Sequence, residues 1–410
     1  MSLRSPRLQL LSTIGAALVC IASPAGAQIL PSRPVVFADG RAVIGGEVSL
    51  TTSCSHAEGE SGCTGDTGFF NYSDYEHSTL RMARFGVTTS VRINRHISAL
   101  ADMRIENTTP RPYGVYVRIH PFVDRAFDIQ AGRIPWTFGA FSRRSYSTDN
   151  PLIGYPLAYQ YLTSLRPDAL PSSPEDLFRM RGRGWLSSFP IGNTTPDAGL
   201  PLADAFRWDS GVQAHGTVGW FEGAGSITTG SLAHPLFLDD NDGKHIAGRA
   251  AARPLPGLVF GVSVSRAPYV TAAAAAAAHA DARDFTQRVA GADVEFSRDH
   301  YLVRFETVWS VYDLPTIQPR LDARGTVLEG RYKLTPRIFA AARADHLGFN
   351  TITGSTRSLA WEAPVTRWEV GGSYAVFRNL QLRTTFQHNS RDGGRVRHQT
   401  AIAGQLLYWF

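Results

Sequence analysis

The sequence predicts an all-β chain, a transmembrane antiparallel β-barrel of about sixteen strands interrupted by one very long connector. Three observations predict it. The amino-terminal segment has the layout of an export signal, period-two alternation recurs along the rest of the chain, and the connectors alternate between short and long.

The signal comes first. Arg4 and Arg7 precede an apolar run from Leu8 to Ala22, and Ser23-Pro24-Ala25-Gly26-Ala27 supplies a small-x-small cleavage pattern. Residues 1–27 are therefore expected to be a signal peptide and 28–410 the barrel. Cys20 follows Val19, which is too bulky for a lipoprotein cleavage site. Cys54 and Cys63 bracket a short Gly/Ser-rich segment, and in an oxidising compartment such a loop closes into one disulfide; metal binding by two isolated thiols is the alternative.

Composition sets wide limits. With 410 residues, 43% apolar and 19% charged, the chain is neither collagen-like, nor disulfide-built, nor disordered by charge. The 41 Lys+Arg include only Lys244 and Lys333 as lysines, and the net charge of +6 falls to +4 once Arg4 and Arg7 are removed. That balance names no partner, and no nucleic-acid role is expected. No further run reaches the roughly 18 to 20 apolar residues of a membrane helix. The alanine run after Thr271 is too short, and is expected to be loop or a brief helical turn.

The strands follow in order. A weak alternation covers 42–51. Then Phe85, Val87, Thr89, Val91 and Ile93 alternate with Arg84, Gly86, Thr88, Ser90 and Arg92, and 97–106 repeats the pattern. Further segments are 113–119, 127–131, 208–215, 220–229, 244–253, 258–264, 290–296, 301–311, 326–334, 338–344, 365–374, 380–386 and 400–410. Short links such as Arg95-His96 interleave with long polar ones such as 52–79 and 230–243, the layout of tight turns at one rim and loops at the other. A soluble sandwich also alternates, but this many strands would divide into two domains, and no hinge divides the chain. Tyr113, Phe127, Trp208, Trp220, Tyr301, Tyr312, Tyr332, Trp368, Tyr374 and Tyr408 fall near strand ends, where a barrel carries its interfacial aromatics.

The connector 132–207 far exceeds an ordinary loop. It contains one helix start, with Ser173 as N-cap, Pro174 at the first position, then Glu175 and Asp176.

Two segments carry a family resemblance. Gln405-Leu406-Leu407-Tyr408-Trp409-Phe410 resembles the carboxyl-terminal signature of Gram-negative outer-membrane barrels, with Tyr408 and Phe410 as the assembly signal. The stretch Phe127 to Gly139, with Gly132-Arg133 and Pro135, is similar to the strand-exit segment of phosphate-selective-type porins. Together with the strand count and the terminal Phe, the chain resembles the Gram-negative porin superfamily. The resemblance implies an outer-membrane location and a long third external loop folding inward as a constriction, here 132–207. It also implies lipid and the barrel assembly machinery as partners, and a homotrimer. The lysine cluster of phosphate channels is absent, so phosphate specificity is not expected.

If the apolar face meets lipid, the opposite face lines the interior. That set includes Arg84, Arg92, Arg104, Arg118, Arg249, Arg304, Arg331, Lys333, Arg343, Arg367 and Arg383. Facing them are Glu47, Asp102, Glu106, Asp128, Asp209, Asp293, Glu295, Glu306, Glu329, Asp345 and Glu369. Opposite charges two residues apart share a strand face. A dry core cannot hold so many ions, because desolvation costs several kcal/mol each, so a watered interior is expected. Arg104, Arg304, Glu306, Glu329, Arg331, Arg343, Asp345, Arg367, Glu369 and Arg383 are the expected pore lining, and Arg143, Arg144, Arg179, Arg181 and Arg183 the expected constriction.

No nucleophile elbow, zinc-protease motif, phosphate loop or Cys/His cluster is present in the sequence, and no catalytic residue, metal or cofactor is assigned. Asp239 to Gly243 is expected to be a solvated acidic turn. The expected function is passive diffusion of small hydrophilic solutes with weak charge selectivity. Two alternatives stay open: a substrate-specific anion channel, and a non-conducting barrel acting as adhesin, scaffold or enzyme.

Overall fold

A computed structural model describes residues 33–57, 82–106, 109–144, 146–204 and 208–410. The expected signal peptide and Cys63 lie outside the described residues. Cys54 is disulfide-bonded.

Sixteen antiparallel strands form a closed barrel. They are β1 (Ala42–Ala57), β2 (Met82–Arg92), β3 (Ile97–Glu106), β4 (Thr109–Ile119), β5 (Phe127–Ile134), β6 (Asp209–Val218), β7 (Phe221–Thr228) and β8 (His245–Leu255). They continue with β9 (Leu258–Pro268), β10 (Thr286–Arg298), β11 (Tyr301–Tyr312), β12 (Leu321–Lys333), β13 (Ile338–Phe349), β14 (Val365–Phe377), β15 (Leu380–Arg391) and β16 (His398–Trp409). Each expected strand is present, several of them longer than the alternation alone indicated.

Closure satisfies every strand edge, the condition for crossing hydrocarbon. β1 pairs with β16 from Glu47↔Trp409 to Ala57↔Gln399. The seam continues through Phe410, whose N–H donates to the Gly46 carbonyl at 2.9 Å while the Gly46 N–H donates to Phe410 at 3.0 Å. The Phe410 ring occupies the space beside Gly46, where a Cβ would come within 2.8 Å of it. Below the seam the short strand Val35–Phe37 pairs with the start of β1.

The outward face is apolar. Phe85, Val87, Val115, Val262, Val264, Phe305, Leu328, Val370, Phe386 and Ile402 are exposed, while the intervening charged residues point inward. A continuous exposed apolar belt on a closed barrel is a lipid-facing surface. Trp220, Tyr301, Tyr332, Trp368 and Tyr374 project from it.

Three expected belt aromatics turn inward instead. A register shift between Asp102 and Met103, opposite Gly114 and Pro112, rotates Tyr113 into the interior, where it meets Trp208 edge-on at 6.4 Å. Tyr312 is fully buried, packed against Tyr269 and Trp361 beneath the loops. Alternation places a residue by counting, and a bulge breaks the count.

The alanine run forms a helix, Ala272–Ala277, capped by the Thr271 hydroxyl. The helix expected after Ser173 spans Pro174–Met180.

Candidate functional site: the loop inside the barrel

The first part of the connector between β5 and β6 runs into the interior and packs there around its own apolar residues. Phe138, Phe141, Tyr155, Leu157, Tyr159 and Tyr161 are buried in one cluster. Phe141 stacks on Tyr159 at 4.6 Å and meets Tyr155 edge-on at 5.1 Å. A helical turn, Leu157–Gln160, packs against β12 and β13.

On the side of β11 to β15 the loop is sealed to the wall. The Arg343 guanidinium donates to the Gly154 carbonyl at 2.7 Å, Arg367 to Tyr155 O at 2.8 Å, and Arg383 to Ser147 O at 2.6 Å. Arg304 reaches Asp149 O at 3.3 Å. Glu306 accepts from the Ala140 N–H and the Tyr159 hydroxyl, both at 2.8 Å, and Arg144 pairs with Glu329 at 3.0 Å. Behind these contacts Arg343 also pairs with Glu329, Asp345 and Glu369. Gly139, at φ +72°, has no room for a side chain, since a Cβ would stand 2.8 Å from Glu306. The gap left near Arg144, Glu306 and Glu329 is about 10 Å³, at the lower limit for one water.

On the side of β1 to β4 the loop stands off the wall. A cavity of about 530 Å³ lies between the loop tip and that wall, lined by Glu47, Asp102, Tyr116, Tyr146, Trp208 and Trp409 among others. Hydrogen bonds bridge it: the Ser147 and Thr148 N–H groups donate to Glu47 at 3.0 and 3.4 Å, the Tyr146 hydroxyl donates to Asp102 at 2.6 Å, and Arg84 of β2 donates to the Tyr155 hydroxyl at 3.3 Å. Asp102 is paired with Arg104 at 3.1 Å, and that guanidinium lies 3.8 Å over the Tyr113 ring. At the loop tip, partial burial together with the nearby Glu47 carboxylate pushes the Asp149 carboxyl up to about 6.

The expected site residues thus separate. Glu306, Glu329, Arg343, Asp345, Arg367, Glu369 and Arg383 all face inward, yet each is buried beneath the loop and anchors it or the charges around it. Arg304 and Arg331 keep partial access, as do Arg118 and Glu295 toward the short-turn rim. Of the expected constriction, Arg144 is buried on Glu329. The side chain of Arg143 is outside the described residues. Arg179, Arg181 and Arg183 belong to the outer loops: Arg181 binds Asp392 of the last loop at 2.8 Å, and Arg179 and Arg183 are exposed.

Those outer loops form a cap continuous with the inserted loop. Arg166 is fully buried, forked onto Asp168 and donating to Ser187 O and Thr195 O. Glu362, between β13 and β14, accepts the N–H groups of Ser164, Gly182 and Ala363; its burial raises its pKa. Residues that the pattern reading missed, Tyr146, Tyr155 and Tyr159 above all, sit in a non-periodic loop, where only their density as tyrosines was visible.

One further constellation bears on enzymatic alternatives. The Ser265 hydroxyl meets His245 Nε2 at 2.7 Å, and His245 Nδ1 faces Asp209 at 3.4 Å. All three are under a tenth exposed, and Asp209 is held by the Gly230 and Leu236 N–H groups. The arrangement ties the outer ends of β6 to β9 together.

Comparison with known proteins bears on the fold. No protein-family model matches the chain, and no curated protein matches it. Solved structures do. OmpF of Salmonella typhi, determined with daunomycin, superposes with TM-score 0.55 at 10% identity, covering 90% of this chain and 97% of that one. An anion-selective porin from Comamonas acidovorans gives 0.54 at 8% identity over 90% and 99%. OmpT of Vibrio cholerae in its trimer form gives 0.52 at 11% identity over 90% and 99%. The chain has the sixteen-stranded fold of the Gram-negative outer-membrane porins.

Proposed function

We propose that this chain is a Gram-negative outer-membrane porin, a passive channel for small hydrophilic solutes with weak charge selectivity. The observation that carries the reading is the asymmetry of the inserted loop. It is bonded to one wall and stands off the other, leaving a cavity along β1 to β4. The narrow point is formed by Ser147–Asp149 of the loop against Glu47, with Arg304, Arg331 and Arg383 nearby. Opposed acids and arginines at such a point favour neither sign strongly.

The remaining expectations join this proposal. Cys54 pairs with Cys63, Tyr408 and Phe410 present the assembly signal, residues 1–27 are removed on export, and three copies associate, as the trimer form of the Vibrio protein does. A second reading, a non-conducting barrel serving as adhesin or scaffold, is favoured by the apolar cap that fills the outer half of the interior.

Single-channel recording of the refolded mature protein in a planar bilayer separates the two. Stable open steps with a reversal potential near zero in a salt gradient are expected. A folded barrel without conductance overturns the channel reading in favour of the scaffold.

A further inference from the structure

We infer that the cavity between the loop tip and the β1 to β4 wall is a binding subsite for organic cations that carry an aromatic or similarly flat apolar body. The inference deepens the channel reading and rests on it for transport, though binding itself can be read separately.

The cavity has the size of a small-molecule site, about 530 Å³. Trp208 and Trp409 border it together with Tyr116 and Tyr146, whose rings lie beside the Arg118 and Arg104 guanidiniums at 5.9 and 4.7 Å, and its charged lining side chains are Glu47 and Asp102. Among the described residues no arginine, lysine or histidine lines it, in a barrel whose interior carries many arginines. The nearest cations are already engaged. Arg104 is forked onto Asp102 and stacked on Tyr113, and Arg383 donates to Ser147 O and Gln381. Glu47 accepts from the Ser147 and Thr148 N–H groups, which orient its carboxylate without neutralising it. Trp208 is held flat on the wall because Gly114 has no side chain; a Cβ there would lie 2.2 Å from the indole. A carboxylate beside preorganised aromatic faces recognises a cation with an apolar body and rejects an anion of the same shape.

The test uses benzyltrimethylammonium, with benzenesulfonate as the anion of matching size, on the folded mature protein. Binding is read by tryptophan fluorescence in detergent, and block by single-channel current. Saturable quenching and block by the cation alone are expected. Glu47→Gln and Trp409→Leu should each weaken them about tenfold, and Thr88→Arg, which sets a cation in the cavity, should abolish them. Equal action of benzenesulfonate, or an unchanged titration in both Glu47→Gln and Thr88→Arg, overturns the subsite. Quenching without conductance keeps the subsite and sinks the channel; conductance without quenching does the reverse.

Discussion

The two flanks of the inserted loop meet the barrel by different means. Toward β11 to β15, arginines and carboxylates that share a strand face with one another also reach loop carbonyls and N–H groups, and almost no space is left. Toward β1 to β4, a few hydrogen bonds from the loop tip and several aromatic rings border an open cavity. Inward charge is therefore not equivalent to pore lining. A buried ion needs partners, and where the loop's polar backbone supplies them the charge becomes an anchor.

The comparison breaks most severely at Arg343, whose side chain is fully buried among Glu329, Asp345 and Glu369 and on the Gly154 carbonyl. Arg343→Ala leaves three buried carboxylates without their shared cation. A loss of about 3–5 kcal/mol is expected, read by urea unfolding in lipid vesicles, together with larger and noisier conductance as the sealed flank opens. Unchanged stability and conductance would mean that the loop is held elsewhere.

On the open flank a milder change tests whether space there matters. Gly114→Val drives a side chain into the Trp208 indole and pushes the ring toward the cavity. Overpacking of this kind costs about 1–3 kcal/mol. Conductance should fall and tryptophan emission shift, whereas a path on the other flank would leave conductance unaltered.

The loop tip sharpens the contrast through pH. The Asp149 carboxyl, raised to about 6, is mostly ionised at pH 7 and mostly protonated at pH 5. Acidification across that window removes one negative charge facing Glu47, Arg144, Arg304 and Arg383, so selectivity should shift toward anions with a midpoint near 6. Reversal potentials would show the step, and Asp149→Asn should remove it. The smallest effect is ionic: raising salt from 0.1 to 1 M shortens the screening length from about 10 to about 3 Å. Charge preference on the open flank should fade, while the loop on the sealed flank stays in place by hydrogen-exchange protection.

Much of this was legible from the order of residues. Phe85 to Ile93 shows a strand with one apolar face without reference to anything distant, and Ser173-Pro174 marks a helix start that the structure bears out, although the Ser173 side chain makes no capping hydrogen bond there. Tyr113 turns inward against the alternation because a bulge in β4 is not encoded in it, and Trp208, just before β6, packs inward on the space that Gly114 leaves. Arg179, Arg181 and Arg183 were read as constriction because they lie in the long loop; its return path, fixed by Glu362 and Asp392, carries them to the outer rim.

The sequence by itself determined the two faces of each regular strand, since period two is a property of the strand alone, but not the sides taken by residues at bulges and strand ends. It also determined that the interior is charged and that one loop is long enough to enter it. Only the tertiary structure decided which inward charges meet water and which are covered. The route of residues 135–208 through the barrel depends on contacts with strands far away in sequence, and local periodicity carries no record of those distances.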